Sequence, residues 1–117
     1  MKPMTIFSDI DGTLVYQVPF EEISPYRSRA LPGAVEKMTK WYNEGHHIVL
    51  TTARPESLRS TTLAEMKFLG IPFHQLVMGI GRAERILINN SSEERPEEKR
   101  AIAIQVEKNG GLENVNI

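Results

Sequence analysis

The chain opens on a short apolar-rich run at residues 4–8 (MTIFS) that stops at the polar string Asp9-Ile10-Asp11-Gly12-Thr13. A run of that length ending at Asp-Gly predicts a buried strand. Residues 12–32 show no period and are punctuated by Pro19, Pro25 and Pro32. That stretch is long for a plain connection, so a small hairpin or flap is expected there. Beyond Pro32-Gly33, Ala34, Val35, Met38, Trp41 and Tyr42 recur at helical spacing, with Gly45 as the stop. Residues 46–51 (HHIVLT) read as a second buried strand, rich in β-branched side chains. Pro55 suits a first helical position. Leu58, Thr62, Met66 and Leu69 then line one helical face up to Gly70-Ile71-Pro72. Two further strands are predicted at 74–78 (HQLVM) and 85–89 (RILIN). Residues 101–106 (AIAIQV) alternate weakly and read as a last strand or as the continuation of a helix begun near Pro96.

Strands alternating with helices imply right-handed crossovers and a mostly parallel sheet, a Rossmann-like three-layer α/β fold. Ligands of such sheets bind outside the carboxyl ends of the strands. The polar groups follow that rule. Asp9 and Asp11 come after the first strand, Thr51, Thr52 and Arg54 after the second, and Asn89, Asn90, Glu93 and Glu94 after the fourth.

Composition narrows the picture. The 117 residues fit one compact domain, with 40% hydrophobic and 25% charged residues. The formal net charge of −1 gives no global field that would draw nucleic acid or a membrane surface. There is no cysteine, which excludes disulfides and thiol chemistry and fits a reducing, cytoplasmic setting. The apolar start is too short for a signal segment, and no 18-residue apolar run predicts a membrane span. His46 and His47 lie before a strand at the end opposite the aspartates, and surface or strand-edge roles are expected for the three histidines His46, His47 and His74. Gly79-x-Gly81 lacks the third glycine of a dinucleotide loop.

Residues i and i+2 of a strand face one side, so Asp9 and Asp11 can converge on one pocket, with Gly12 bending the chain after them. Two nearby carboxylates repel, and each needs a cation or a proton. Mg²⁺ prefers such hard oxygen ligands. One carboxylate could then attack an electrophile while the other, protonated, serves the leaving group.

The string DIDGTL at 9–14 resembles the first motif of the haloacid dehalogenase (HAD) superfamily, and IVLTTAR at 48–54 resembles its second. The order of the later runs extends the resemblance over nearly the whole chain. It implies a Mg²⁺-dependent phosphomonoester hydrolase. Asp9 would be the nucleophile that forms an aspartyl-phosphate, and Asp11 the general acid and base. Thr13 would brace the motif, and Thr52 or Thr51 would hold phosphoryl oxygens. The helix starting near Pro55 would point its positive end at the same rim. The lysine of the third motif is missing; Ile80 stands in its region, with Arg82 and Arg85 as the local cations. The acidic fourth motif reads INNSSEE, which puts Asn90 and Glu94 beside Asp9 and Asp11 as expected metal ligands. No cap domain fits in the gaps at 12–32 and 78–85. A capless monomer would leave its site open to water, so a homo-oligomer is one arrangement to expect. The expected substrate is a small phosphorylated metabolite such as a sugar phosphate. The alternative is a catalytically degenerate phosphate-binding or interaction module, suggested by the missing lysine and by Asn90.

Overall fold

The computed structural model describes residues 2–117. Three strands, β1 (Thr5–Ser8), β2 (His47–Thr51) and β3 (Gln75–Val77), form a parallel sheet in the order β1-β2-β3. Thr5 lies opposite His47 and Ser8 opposite Leu50, while Thr51 lies opposite Val77. Helix α1 (Ala34–Asn43) carries the chain from β1 to β2, and α2 (Arg59–Leu69) carries it from β2 to β3. This is the α/β, Rossmann-like arrangement without a cap that the alternating runs predict. α2 starts later than Pro55 implies, because a single 3-10 turn at Glu56–Leu58 comes first.

Ile48, Val49 and Leu50 are all buried, so both faces of β2 are covered, as parallel strands require. The core gathers Ile10, Leu14, Met38, Trp41, Ile48, Leu50, Met66 and Ile71. Leu112 joins it from far along the chain, through a turn in which its N–H donates to the Pro32 carbonyl at 2.8 Å. Gly111 there has φ +83°, and a Cβ at that position would overlap the Pro32 carbonyl oxygen.

The histidines sit at the sheet's lower end. Nδ1 of His46 accepts the Met4 N–H at 2.9 Å, and Nδ1 of His74 accepts the Ile48 N–H at 3.0 Å. Each histidine just before a strand thus accepts an amide near the start of the preceding strand, Met4 one residue ahead of β1 and Ile48 within β2.

Residues 12–32 form a closed flap. Its stem pairs antiparallel, with the Leu31 N–H on the Leu14 carbonyl at 2.8 Å and the Tyr16 N–H on the Arg29 carbonyl at 3.2 Å. Two 3-10 turns, Phe20–Glu22 and Pro25–Arg27, fill the loop. Tyr26 packs edge-on against Phe68 of α2, with ring centroids 5.5 Å apart.

The strands expected at 85–89 and 101–106 are not formed, and neither is a helix at 101–106. Ile86, Ile88 and Ile102 stand 85%, 91% and 76% exposed. The physical reason lies in the connection. β3 ends at Val77, at the carboxyl rim, and a parallel strand must start at the other end of the sheet. That requires a crossover of roughly a dozen residues or more, and the seven residues 78–84 are too few. The two runs instead pass alongside each other, with Asn89 Nδ2 3.4 Å from the Arg100 carbonyl. They lengthen the molecule to 48 × 27 × 24 Å, with a radius of gyration of 14.9 Å, against about 13 Å for a compact chain of this length.

Candidate active site

Beyond Ser8 the chain folds into a tight turn. The Ile10 carbonyl accepts the N–H groups of Thr13, Leu14 and Val15 at 3.2, 2.8 and 3.2 Å, and the Gly12 N–H donates to the Val15 carbonyl at 2.8 Å. Gly12 makes the turn with φ +79°, a conformation that only glycine adopts without cost. Asp9 is therefore left at the carboxyl end of β1, and Asp11 lies within the turn.

The two aspartates have different surroundings. Asp11 faces Arg54, which is wholly buried. Arg54 Nε donates to Asp11 Oδ2 at 3.0 Å, and Nη2 donates to Oδ1 at 2.8 Å, a two-pronged pair. The third nitrogen, Nη1, donates to Glu65 Oε1 at 2.7 Å and to Thr62 Oγ1 at 3.0 Å. The other oxygen of Glu65 accepts from the Ser28 hydroxyl at 2.5 Å, which ties the flap to α2. Burial works against the Arg54 charge, but Asp11 and Glu65 outweigh it and hold the guanidinium pKa above its usual value. One positive and two negative groups leave this network with a charge of −1.

Asp9 is half-buried and has no ion-pair partner within 4.0 Å among the described residues. Burial raises its pKa above the ordinary carboxylate value. The Ile10 N–H opposes that shift, as do the fields of Arg85 and Arg54, whereas Asp11 adds to it. Arg85 thus sits where its charge reaches Asp9.

The remaining expected residues are spread more widely. Thr52 is buried, and its Oγ1 accepts the Arg54 N–H at 3.1 Å. Thr51 lies beside it at the end of β2, with its hydroxyl 3.5 Å from the Ser8 carbonyl. The Arg82 guanidinium lies over the Phe20 ring of the flap, 4.7 Å from its centroid. Asn90 and Glu94 are exposed, and Asn90 lines a small recess with Glu98 and Arg100. Among the described residues no three His, Asp or Glu side chains converge as a metal site would require, so Glu94 does not join Asp9 and Asp11.

Sequence reasoning missed Glu65, Ser28 and Lys108. Glu65 carried a signal: it is a charge beside the apolar stripe of α2, and a buried charge needs a partner. Lys108 carried none. It arrives through the turn after Val106, where the Asn109 N–H donates to the Gly12 carbonyl at 2.7 Å.

A divalent cation has a partial fit here. The half-buried Asp9 carboxylate lacks an intimate counter-charge, and the Asp11 carbonyl oxygen accepts no hydrogen bond among the described residues. Mg²⁺ is commonly held by one or two protein oxygens together with substrate phosphate and water.

No family model matches the chain, and no curated protein does either. Among solved structures it is similar to D,D-heptose 1.7-bisphosphate phosphatase from B. bronchiseptica, complexed with magnesium and phosphate. The TM-score is 0.52 and the sequence identity 21%, over 67% of this chain and 51% of the phosphatase. The chain therefore spans about half the length of that protein. The likeness shows the fold: an α/β, Rossmann-like arrangement shared with that protein over two thirds of this chain. No helix among the described residues is long and apolar enough to cross a membrane.

Proposed function

We propose that the chain is a phosphomonoester hydrolase working through Asp9, on a small phosphorylated metabolite such as a sugar phosphate. The observation that carries this reading is the contrast between the two aspartates. Asp9 is half-buried at the strand's carboxyl end, with a raised pKa and no ion-pair partner, while Asp11 is locked in place by Arg54. The likeness to a magnesium-complexed phosphatase supports the reading at the level of fold.

In this proposal an Asp9 oxygen attacks phosphorus and the bond to the leaving oxygen breaks, giving an aspartyl-phosphate. Asp11 must first take up a proton from solvent on one oxygen; it passes that proton to the leaving oxygen, and the carboxylate so formed takes one from the water that attacks the aspartyl-phosphate and releases phosphate. Each Asp11 oxygen accepts one Arg54 N–H and keeps a second lone pair for that exchange. Arg85, whose field reaches Asp9, and Thr51 at the end of β2 would hold phosphoryl oxygens. Thr52 would do so through its O–H, since its oxygen already accepts the Arg54 N–H. Asp9 and the Asp11 carbonyl would hold Mg²⁺, which supplies positive charge to the phosphoryl group when bound.

The second reading is a non-catalytic phosphate-binding module. It is favoured by one observation, the position of Asn90 and Glu94 in an exposed segment outside any metal-sized group. Phosphate release from a panel of monoesters, with Mg²⁺ and with EDTA, decides between the two. Metal-dependent release that disappears in Asp9→Asn supports the hydrolase. Phosphate binding without release in the wild type leaves the module.

A further inference from the structure

A pocket of about 440 Å³ opens between the flap and the C-terminal turn. It lies directly beside the D-x-D-G turn. A Cβ placed on Gly12 would meet Lys108 Cγ at 3.3 Å and Gln17 Oε1 at 3.4 Å, and both residues line the pocket. The walls are fastened to each other and to that turn. The Asn109 N–H donates to the Gly12 carbonyl, and Asn109 Oδ1 accepts the Gln17 N–H at 3.0 Å. Asn109 adopts φ +60° to do so. The recess is wide open to solvent and its lining is as polar as it is apolar, which suits the polar end of a ligand.

The charges lining it do not cancel. Arg82 and Lys108 face Glu21, and neither cation has a carboxylate within 4.0 Å among the described residues. Arg82 lies over the Phe20 ring, and its guanidinium makes no side-chain hydrogen bond among the described residues, so its N–H groups remain available to an anion.

We infer that this pocket receives the leaving group of the substrate, and that the leaving group carries a second anionic group, a carboxylate or another phosphate, bound between Arg82 and Lys108. The inference rests on the hydrolase reading for the word "leaving group", and on the geometry alone for the preference for an anion.

The test compares phosphoglycerate with glycerol phosphate, which differ by a carboxylate in place of a hydroxymethyl group. Affinity is measured by calorimetry on the Asp9→Asn protein, and kcat/KM on the wild type. A preference of about 10-fold or more for phosphoglycerate is expected from one charge-assisted contact. In Lys108→Met and Arg82→Met the ratio should fall toward one while the melting temperature holds, because both side chains are exposed. Lys108→Arg should restore the preference. Equal binding of the two compounds, or a preference that survives both methionine variants, overturns the inference. A preference in binding with no turnover of either compound leaves the anion site standing, and a whole panel of monoesters that releases no phosphate with Mg²⁺ then overturns the hydrolase reading separately.

Discussion

Replacing Arg54 with methionine removes the one cation from a network that otherwise contains two carboxylates. Asp11 is 11% exposed at its side chain and Glu65 is 2% exposed, so neither can recover its hydration without opening the fold. Four N–H donations would be lost, two to Asp11, one to Glu65 and one to Thr62. Removing one partner of a buried pair costs about 3–5 kcal/mol, because the remaining charge is uncompensated. Domains of this size have a total stability of about 5–15 kcal/mol, so the loss would be a large share. With a urea slope of about 1–3 kcal/mol per molar, the unfolding midpoint should fall by roughly 2 M. Glu65→Gln is the contrasting variant. It removes the surplus negative charge yet keeps an oxygen for Arg54 Nη1, and the amide can donate to Ser28, so the cost should stay below about 1 kcal/mol. Urea unfolding followed by Trp41 fluorescence reads both. A fall of less than about 0.5 M in Arg54→Met, or equal damage from Glu65→Gln, would refute the idea that the guanidinium holds these elements together.

Asp9→Asn should be more stable than the wild type at neutral pH. The folded pKa of Asp9 lies above its unfolded value, so its favourable contribution is complete below about pH 3.9 and is lost as pH rises through the folded value; urea midpoints that diverge on acidification instead of converging would contradict this. His46→Leu leaves the Met4 N–H without its acceptor and should cost about 1–3 kcal/mol, with faster hydrogen exchange at Met4; an unchanged exchange rate there would remove the histidine from the ladder. Gly111→Ala forces a side chain into positive φ against the Pro32 carbonyl and should cost about 1–3 kcal/mol or more, with a melting temperature equal to wild type as the contrary result.

The elements that were legible in the sequence are those whose evidence is local. The strands at 5–8, 47–51 and 75–77 and both helices follow from apolar period and glycine stops, and each strand lies within one residue of its expected limits. The bend at Gly12 was legible, but the strand expected to carry Asp9 and Asp11 on one face stops at Ser8, and Asp11 lies in a turn closed on the Ile10 carbonyl. RILIN and AIAIQV fail because strand propensity needs an available edge and a connection long enough to reach it, and seven residues after β3 do not provide one. The clamp on Asp11 was illegible for a related reason. Arg54 and Glu65 are close in sequence, but Arg54 and Asp11 are separated by 43 residues, and only the parallel register of β1 and β2 brings them together. The fold assigns Arg54 to carboxylates, Asp11 and Glu65.

That assignment bears on which aspartate can react. Two carboxylates two residues apart share one turn, and the chain's single buried guanidinium is committed wholly to one of them. Its fork fits the oxygens of Asp11, and its remaining nitrogen is taken by Glu65 and Thr62, so nothing is left over for Asp9 beyond a more distant field. The result is an asymmetry created by packing. Asp11 is fixed in orientation and its charge answered, as suits a group that exchanges protons from a set position. Asp9 keeps an unanswered charge at the open rim of the sheet, where burial has already raised the free energy of its ionised form. A cation or an electrophilic phosphorus arriving there relieves that cost, whereas at Asp11 it would first have to displace Arg54. The stability that the fold gives up at Asp9 and the reactivity proposed for it therefore have one cause, and the Arg54 network concentrates both on a single side chain.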